Sequence, residues 1–89
     1  MAENGTRKQA KRPRLRFTSG EATKAYRHEH GMTQADFWQP VGVTQSGGCR
    51  YESGRDIPAP VQLVLHLTYG SEAEAERLLS WLRAQKEKG

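Results

Sequence analysis

Three side chains in the middle of the chain could read the edges of nucleic-acid bases. Gln45, Ser46 and Arg50 follow Thr44 within one short segment. A glutamine amide can pair bidentately with adenine and an arginine guanidinium with guanine, and each pair contributes ~1–3 kcal/mol of discrimination. Gly47 would allow the backbone to approach a bound partner closely. These residue types predict a base-reading surface at Gln45, Ser46, Gly47 and Arg50.

Capping signals divide the surrounding region into two short helices. Thr33 can cap the first helix, with Asp36 at the position of a capping-box partner. Thr44 can cap the second, which runs from Gln45 to Glu52 before a serine-glycine stop. Gly42 lies in the turn between them. Two short helices joined by a glycine-containing turn predict a helix-turn-helix, whose second helix can enter a DNA major groove.

This stretch resembles the helix-turn-helix of the Cro and phage-repressor (Xre-like) family of DNA-binding regulators. The resemblance covers about residues 22–70. It implies a compact, all-α, five-helix repressor-like DNA-binding domain. The matching features are Thr33-Gln34, Gly42, Val43-Thr44-Gln45 and the exit Glu52-Ser53-Gly54.

The resemblance also implies roles for individual residues. Arg27 lies seven residues before Gln34, where many family members carry an arginine that pairs with the glutamate matching Glu52. A partly buried, bidentate ion pair would tie the first helix to the third, and two solvated charges are the alternative. Gln34 itself is similar to the family glutamine that contacts a phosphate.

Other polar residues flank the predicted recognition helix and could also bind phosphates. They are Thr44, Ser53 and Arg55. Such contacts position a protein on the duplex without reading its sequence. For each of them, ordinary helix capping or a solvated polar side chain is the alternative.

The N-terminal residues are polar and basic. Residues 1–16 hold six of the 14 Lys and Arg residues against a single acid, and this composition predicts a disordered basic arm. Arg12, Arg14 and Arg16 would follow phosphates or enter a minor groove. The alternative is a solubilising tail, or a stretch that also contacts RNA. Residues 17–89 are predicted to form the helix-turn-helix domain, including a C-terminal helix over 71–87.

Two departures from the family pattern fall within the helix-turn-helix. Pro40 lacks a backbone donor, so the helix that contains it is predicted to end early or to tighten. Trp38 stands where the family has a small residue, and Gly48 stands where it has a branched one. We expect these two differences to compensate, with the indole filling the volume that Gly48 leaves open.

Apolar periodicity predicts the buried faces of the remaining helices. The expected faces are Ala22, Ala25 and Tyr26 in the first helix; Val61, Val64, Leu65 and Thr68 in the fourth; and Ala75, Leu78, Leu79 and Leu82 in the fifth. In the fourth helix, Gln62 and His66 mark the polar side. Trp81 lies off the fifth stripe and could anchor a dimer contact.

Composition narrows the class of protein. The net charge of +4 over 89 residues favours a polyanionic partner. The single cysteine, Cys49, excludes an internal disulfide framework and suits a reducing cytoplasm, so a cytoplasmic or nucleoid-associated protein is expected. No apolar run reaches the ~18 residues of a membrane span. His28 and His30 lack the spacing of helical metal ligands, so no metal site and no cofactor are predicted.

The sequence predicts a sequence-specific regulator of double-stranded DNA, a repressor or autoregulator of bacterial or phage type. A short recognition helix reads few base pairs, so homodimerisation, at least on DNA, is expected. The alternative is an antitoxin or adaptor that uses the same fold to bind a protein partner. Nonspecific binding through the basic arm is a third interpretation. No nucleophile–base pair, carboxylate pair or phosphate loop has usable spacing, so an enzyme is not expected.

Overall fold

The structure is a computed structural model that describes residues 12–88. A 3-10 turn, Gln39–Val41, follows directly on the second of its α-helices. The part of the chain that the structure describes contains no strand, so the prediction of an all-α, five-helix domain is confirmed. The helices are α1 (Gly20–Glu29), α2 (Gln34–Trp38), α3 (Gln45–Glu52), α4 (Ala59–Tyr69) and α5 (Glu72–Lys88).

Short polar side chains begin most of these helices by bonding free backbone donors. Ser19 Oγ accepts from the backbone N–H of Ala22 at 3.2 Å. Thr33 and Asp36 form a reciprocal capping box at α2, and Ser71 and Glu74 do the same at α5. Each of these bonds joins residues three apart, so the starts of these three helices are set by local contacts.

Glycine and proline end the helices where the sequence predicts. Gly31 follows α1 with a φ of 64°, and Gly42 closes the 3-10 turn with a φ of 81°. Both angles are in the left-handed region, where glycine has no steric cost. Helix α2 ends at Trp38, and the 3-10 turn contains Pro40. The predicted tightening at the proline is therefore confirmed.

The core is an aromatic cluster that joins four segments of the chain. Phe37 and Tyr69 stack with ring centroids 4.4 Å apart, and Tyr69 donates its hydroxyl to the Phe37 carbonyl at 2.6 Å. Phe17 is 2% exposed and meets Tyr26 edge-on at 5.4 Å. Sequence analysis overlooked Phe17 because it precedes the first helix and belongs to no periodic pattern.

The predicted buried faces are partly wrong, by about one residue in register. In α1, Ala25 is exposed and Thr23 is buried instead. Thr23 can be buried because its hydroxyl donates to the Gly20 carbonyl and needs no solvent partner. In α4, His66 is 1% exposed, whereas Val64 is 41% exposed.

The same shift occurs in α5. Leu78 is fully buried, but Leu79 is 47% exposed. Trp81, which was expected to lie off the buried stripe, is half-buried. It lies beside residues 13–16, which the periodicity of α5 alone cannot reveal. No helix within residues 12–88 is long and apolar enough to cross a membrane.

Candidate nucleic-acid interface

Helix α3 has one exposed face and one packed face. Gln45 and Ser46 are exposed, and so are Cys49 and Arg50, one turn further on. Residues four apart on a helix lie on the same side, so these residues form a continuous polar surface. Gly48 on the opposite side is buried. The three side chains predicted to read bases are thus brought together, with their polar groups directed away from the domain.

Gly47 is half-buried and lies against the cap of α3. A Cβ at Gly47 would stand 3.2 Å from Val43 Cγ1 and 3.3 Å from Thr44 Oγ1. Its backbone N–H donates to Thr44 Oγ1 at 3.0 Å and so completes the helix cap. The fit against the cap is one physical reason for a glycine here, and close approach of Gly47 to bases stays a prediction.

The packed side of α3 is fixed by a single carboxylate. Glu52 accepts two bonds from Arg27, at 3.0 Å from Nε and 2.8 Å from Nη2. It also accepts from Gln34 Nε2 at 3.1 Å and from Trp38 Nε1 at 3.0 Å. The Glu52 side chain is 3% exposed and that of Arg27 is 11% exposed. The ion pair implied by the family resemblance is therefore bidentate and nearly buried.

The hydrogen bonds from Gln34 and Trp38 to Glu52 could not be predicted from the sequence. Arg27 also donates to the carbonyl of Met32, which orients its guanidinium. Burial by itself would raise the pKa of Glu52, but the hydrogen bonds from Arg27, Trp38 and Gln34 outweigh it. The pKa of Glu52 is therefore lowered, and the carboxylate is ionised at neutral pH. The hydrogen bond that Arg27 donates to Glu52 raises the pKa of Arg27.

The expected pairing of Trp38 with Gly48 is present. Trp38 is fully buried, and a Cβ at Gly48 would overlap the indole, lying 2.6 Å from Nε1. The missing side chain at Gly48 thus makes room for the ring. The indole in turn spans from the middle of α3 to Glu52 at its end.

A second close approach fixes the end of α3. A Cβ at Gly20, the first residue of α1, would lie 2.7 Å from the backbone carbonyl carbon of Tyr51. Only glycine lets the two backbones come this close. Sequence analysis missed this role because the contact joins residues far apart in the chain.

The residues predicted to bind phosphates near α3 differ in whether they keep a hydrogen-bond donor that is not already used within the domain. Thr44 Oγ1 accepts from Gly47, so its O–H is available to another acceptor. Ser53 donates its hydroxyl to the Cys49 carbonyl at 2.8 Å. Gln34 uses one amide hydrogen on Glu52 and keeps the second. Arg55 is exposed beyond the end of α3.

Arg16, at the end of the predicted basic arm, is bonded to two helices. It donates its backbone N–H to His66 Nδ1 at 3.0 Å and pairs its guanidinium with Glu74 Oε1 at 3.0 Å. Arg16 is nevertheless exposed, as are Arg12 and Arg14. Residues 1–11, which carry most of the predicted arm, lie outside the described residues. Within residues 12–88, no group of three or more potential metal ligands is clustered.

Comparison with known proteins identifies the domain type. The model of the RsaL-like helix-turn-helix domain matches residues 24–68, just over half of the chain. This span runs from α1 to α4 and includes both helices of the motif. No curated protein and no solved structure gives a significant match. The predicted helix-turn-helix is confirmed, and the narrower resemblance to the Cro and phage-repressor type stays a prediction.

Proposed function

The chain belongs to the RsaL-like helix-turn-helix domain family, and we propose that it is a sequence-specific, double-stranded DNA-binding transcriptional regulator. It acts as a repressor or autoregulator of bacterial or phage type by occupying an operator. The observation that supports this most directly is the division of α3 into two faces. Gln45, Ser46 and Arg50 are exposed together, while Gly48 and Glu52 hold the opposite side against the domain.

In this proposal the N-terminal half of α3 enters the major groove. Gln45 and Ser46 lie in its first turn, and Arg50 follows one turn later on the same side. Glutamine and arginine are the side chains that pair bidentately with adenine and guanine. The ionised Glu52 lies on the far side, where Arg27 neutralises it, so it adds little repulsion towards DNA phosphates.

Phosphate contacts would fix the register of the helix. Thr44 has a free O–H at the start of α3, and Arg55 carries a positive charge just beyond its end. The second amide hydrogen of Gln34 is a further donor. Ser53 is a weaker candidate because its hydroxyl hydrogen is already donated. Arg12 and Arg14 supply charges outside the helix-turn-helix.

A homodimer follows from the number of base pairs that one helix can read. A single α3 of eight residues contacts only a few of them, and useful specificity requires two half-sites about one helical turn, ~34 Å, apart. We therefore propose that two copies bind a two-fold symmetric operator, at least when DNA is present.

The experiment that tests this function is selection from a randomised duplex pool by the purified chain. We expect a two-fold symmetric motif to be enriched. Gln45→Ala and Arg50→Ala should each relax the preference at one position per half-site, with losses equivalent to ~1–3 kcal/mol. Arg83→Ala is the matched control, since Arg83 is exposed on α5 and should leave the motif unchanged.

Two outcomes would contradict the proposed function, and a third would contradict the role of Arg50. Binding without any enriched motif and with a steep dependence on salt would indicate a nonspecific nucleic-acid binder. No binding to any duplex would favour a protein partner, as expected for an antitoxin or adaptor. Equal effects of Arg50→Ala and Arg83→Ala would show that Arg50 contributes charge and reads no base.

A further inference from the structure

A groove of about 810 Å³ lies between residues 13–16 and helix α5. None of the residues that line it belongs to α3, but Arg14 and Arg16 are among the predicted phosphate-binding residues of the arm. Ligand sites for small molecules have volumes of about 300–1,000 Å³ and combine an apolar lining with few polar groups. This groove has the size of such a site.

The walls of the groove are largely apolar. Pro13 and Leu15, both half-buried, form the side contributed by the N-terminal segment. Trp81 and Ala84 form the side contributed by α5. An indole offers a large, flat apolar surface, which suits the ring or alkyl chain of a ligand.

The charges on the groove are positive and only partly neutralised. Arg16 is paired with Glu74. Arg14 and Arg77 also line the groove, and within residues 12–88 neither forms an ion pair. Two guanidinium groups without an ion pair among the described residues therefore line the groove, and a guanidinium binds a planar carboxylate or a sulfonate through several N–H donors.

A buried polar group provides a second, independent observation. His66 lines the groove and is 1% exposed. Its Nδ1 accepts the backbone N–H of Arg16, so in the neutral ring the proton lies on Nε2. That N–H has no acceptor among the described residues. Buried donors are nearly always bonded, and an acceptor atom of a ligand would satisfy this one.

We propose that this groove binds one small amphipathic anion, an aromatic or alkyl carboxylate or sulfonate. The apolar body would lie between Leu15 and Trp81, and the anionic group would be held by Arg14 and Arg77. The ligand would bridge the N-terminal segment and α5. This inference goes beyond the proposed function, and its test does not depend on DNA binding.

The test is a fluorescence titration of the full chain with 8-anilinonaphthalene-1-sulfonate, an aromatic anion that becomes emissive in apolar surroundings. We expect saturable binding of one probe per chain. Arg77→Gln should weaken binding about tenfold, as expected for the loss of one charge-assisted contact. N-phenyl-1-naphthylamine has the same rings without the sulfonate, and its affinity should not change in Arg77→Gln.

Arg83→Gln is the matched control, because it removes the same charge from the same helix at an exposed position that does not line the groove. Equal weakening by Arg77→Gln and Arg83→Gln would overturn the proposal, because probe affinity would then depend only on the net charge of the chain. Absence of saturable binding would also overturn it. The proposal would also be overturned if light scattering showed a dimer and dimerisation abolished probe binding. The groove would then be an interface between two copies of the chain. Circular dichroism establishes that each variant is folded.

Discussion

At the residue scale, Glu52 does more than pair with one arginine. Its two carboxylate oxygens accept four hydrogen bonds from Arg27, Gln34 and Trp38. These donors come from α1, from the start of α2 and from its end. One carboxylate at the end of α3 therefore holds α3 against both preceding helices, and the orientation of the proposed DNA-reading face depends on it.

Replacing this carboxylate should be costly. Glu52→Gln would leave the Arg27 guanidinium nearly buried without a compensating charge. We expect the free energy of unfolding to fall by about 2–4 kcal/mol, measured by urea denaturation at neutral pH. Glu76→Gln, at an exposed site on α5, is the control and should change it by less than about 0.5 kcal/mol. A small effect of Glu52→Gln would mean that an amide replaces the carboxylate equally well.

Stability should also depend on pH through Glu52. Because its pKa in the folded chain lies below the ordinary 4.5, the unfolded chain takes up a proton first as the pH falls. The stabilisation is thus complete above about pH 4.5 and is lost as the pH falls through the lowered pKa. Urea denaturation between pH 6 and pH 2 should show a steeper loss for the unaltered chain than for Glu52→Gln. Parallel curves would contradict this assignment.

At the scale of elements, α3 is a weak helix held by its neighbours. Two adjacent glycines each cost up to ~1 kcal/mol relative to alanine. Gly48 nevertheless admits the buried indole of Trp38. The contact with α2 therefore compensates for a sequence that would form little helix alone.

The dependence of Trp38 on Gly48 can be tested by a double-mutant cycle. Trp38→Ala should lower the free energy of unfolding by about 3–5 kcal/mol through the cavity it leaves. Gly48→Val should also destabilise, because its side chain would overlap the indole. The loss of unfolding free energy in the double variant should be smaller than the sum of the two single losses by at least about 1 kcal/mol. Strict additivity would show that the two sites do not share one volume.

Gly20 should control how α1 meets the end of α3. In an open helix, Gly20→Ala would stabilise by up to ~1 kcal/mol. Here the added Cβ would overlap the Tyr51 carbonyl group, so we expect a net loss of about 1–3 kcal/mol in urea denaturation. A gain in stability would mean that α1 can move without disturbing α3.

The boundaries of the elements were predictable from sequence, but their buried faces were less so. Caps such as Thr33 with Asp36 act within one turn, so their sequence signals suffice. The buried side of α4 includes His66, which accepts a hydrogen bond from the backbone N–H of Arg16, fifty residues earlier in the chain. The exposed face of α3 was predictable because a family pattern fixed its register. The bonds from Gln34 and Trp38 to Glu52 depend on tertiary packing that no local pattern shows.

At the scale of the whole molecule, residues 16 and 17, at the end of the predicted arm, contact the helices. Phe17 enters the core, and Arg16 bonds both α4 and α5. Composition suggested a solvated arm as far as residue 16, because basic residues dominate it. Alternating apolar residues, Pro13 and Leu15, instead line the same groove as Trp81. Charge composition predicts which segment is polar, but it cannot predict that residues of that segment contact the folded helices.

This arrangement predicts different roles in DNA binding for two neighbouring arginines. Arg14 is exposed and forms no ion pair within residues 12–88, whereas the Arg16 guanidinium is already paired with Glu74. Each phosphate contact contributes about 0.9 to the slope of log K against log salt concentration. Arg14→Gln should therefore reduce that slope by about one unit on the selected operator. Arg16→Gln should leave the slope unchanged and lower stability by less than about 1 kcal/mol. Equal reductions of the slope would show that Arg16 exchanges Glu74 for a phosphate, in which case DNA binding would release the segment from α5.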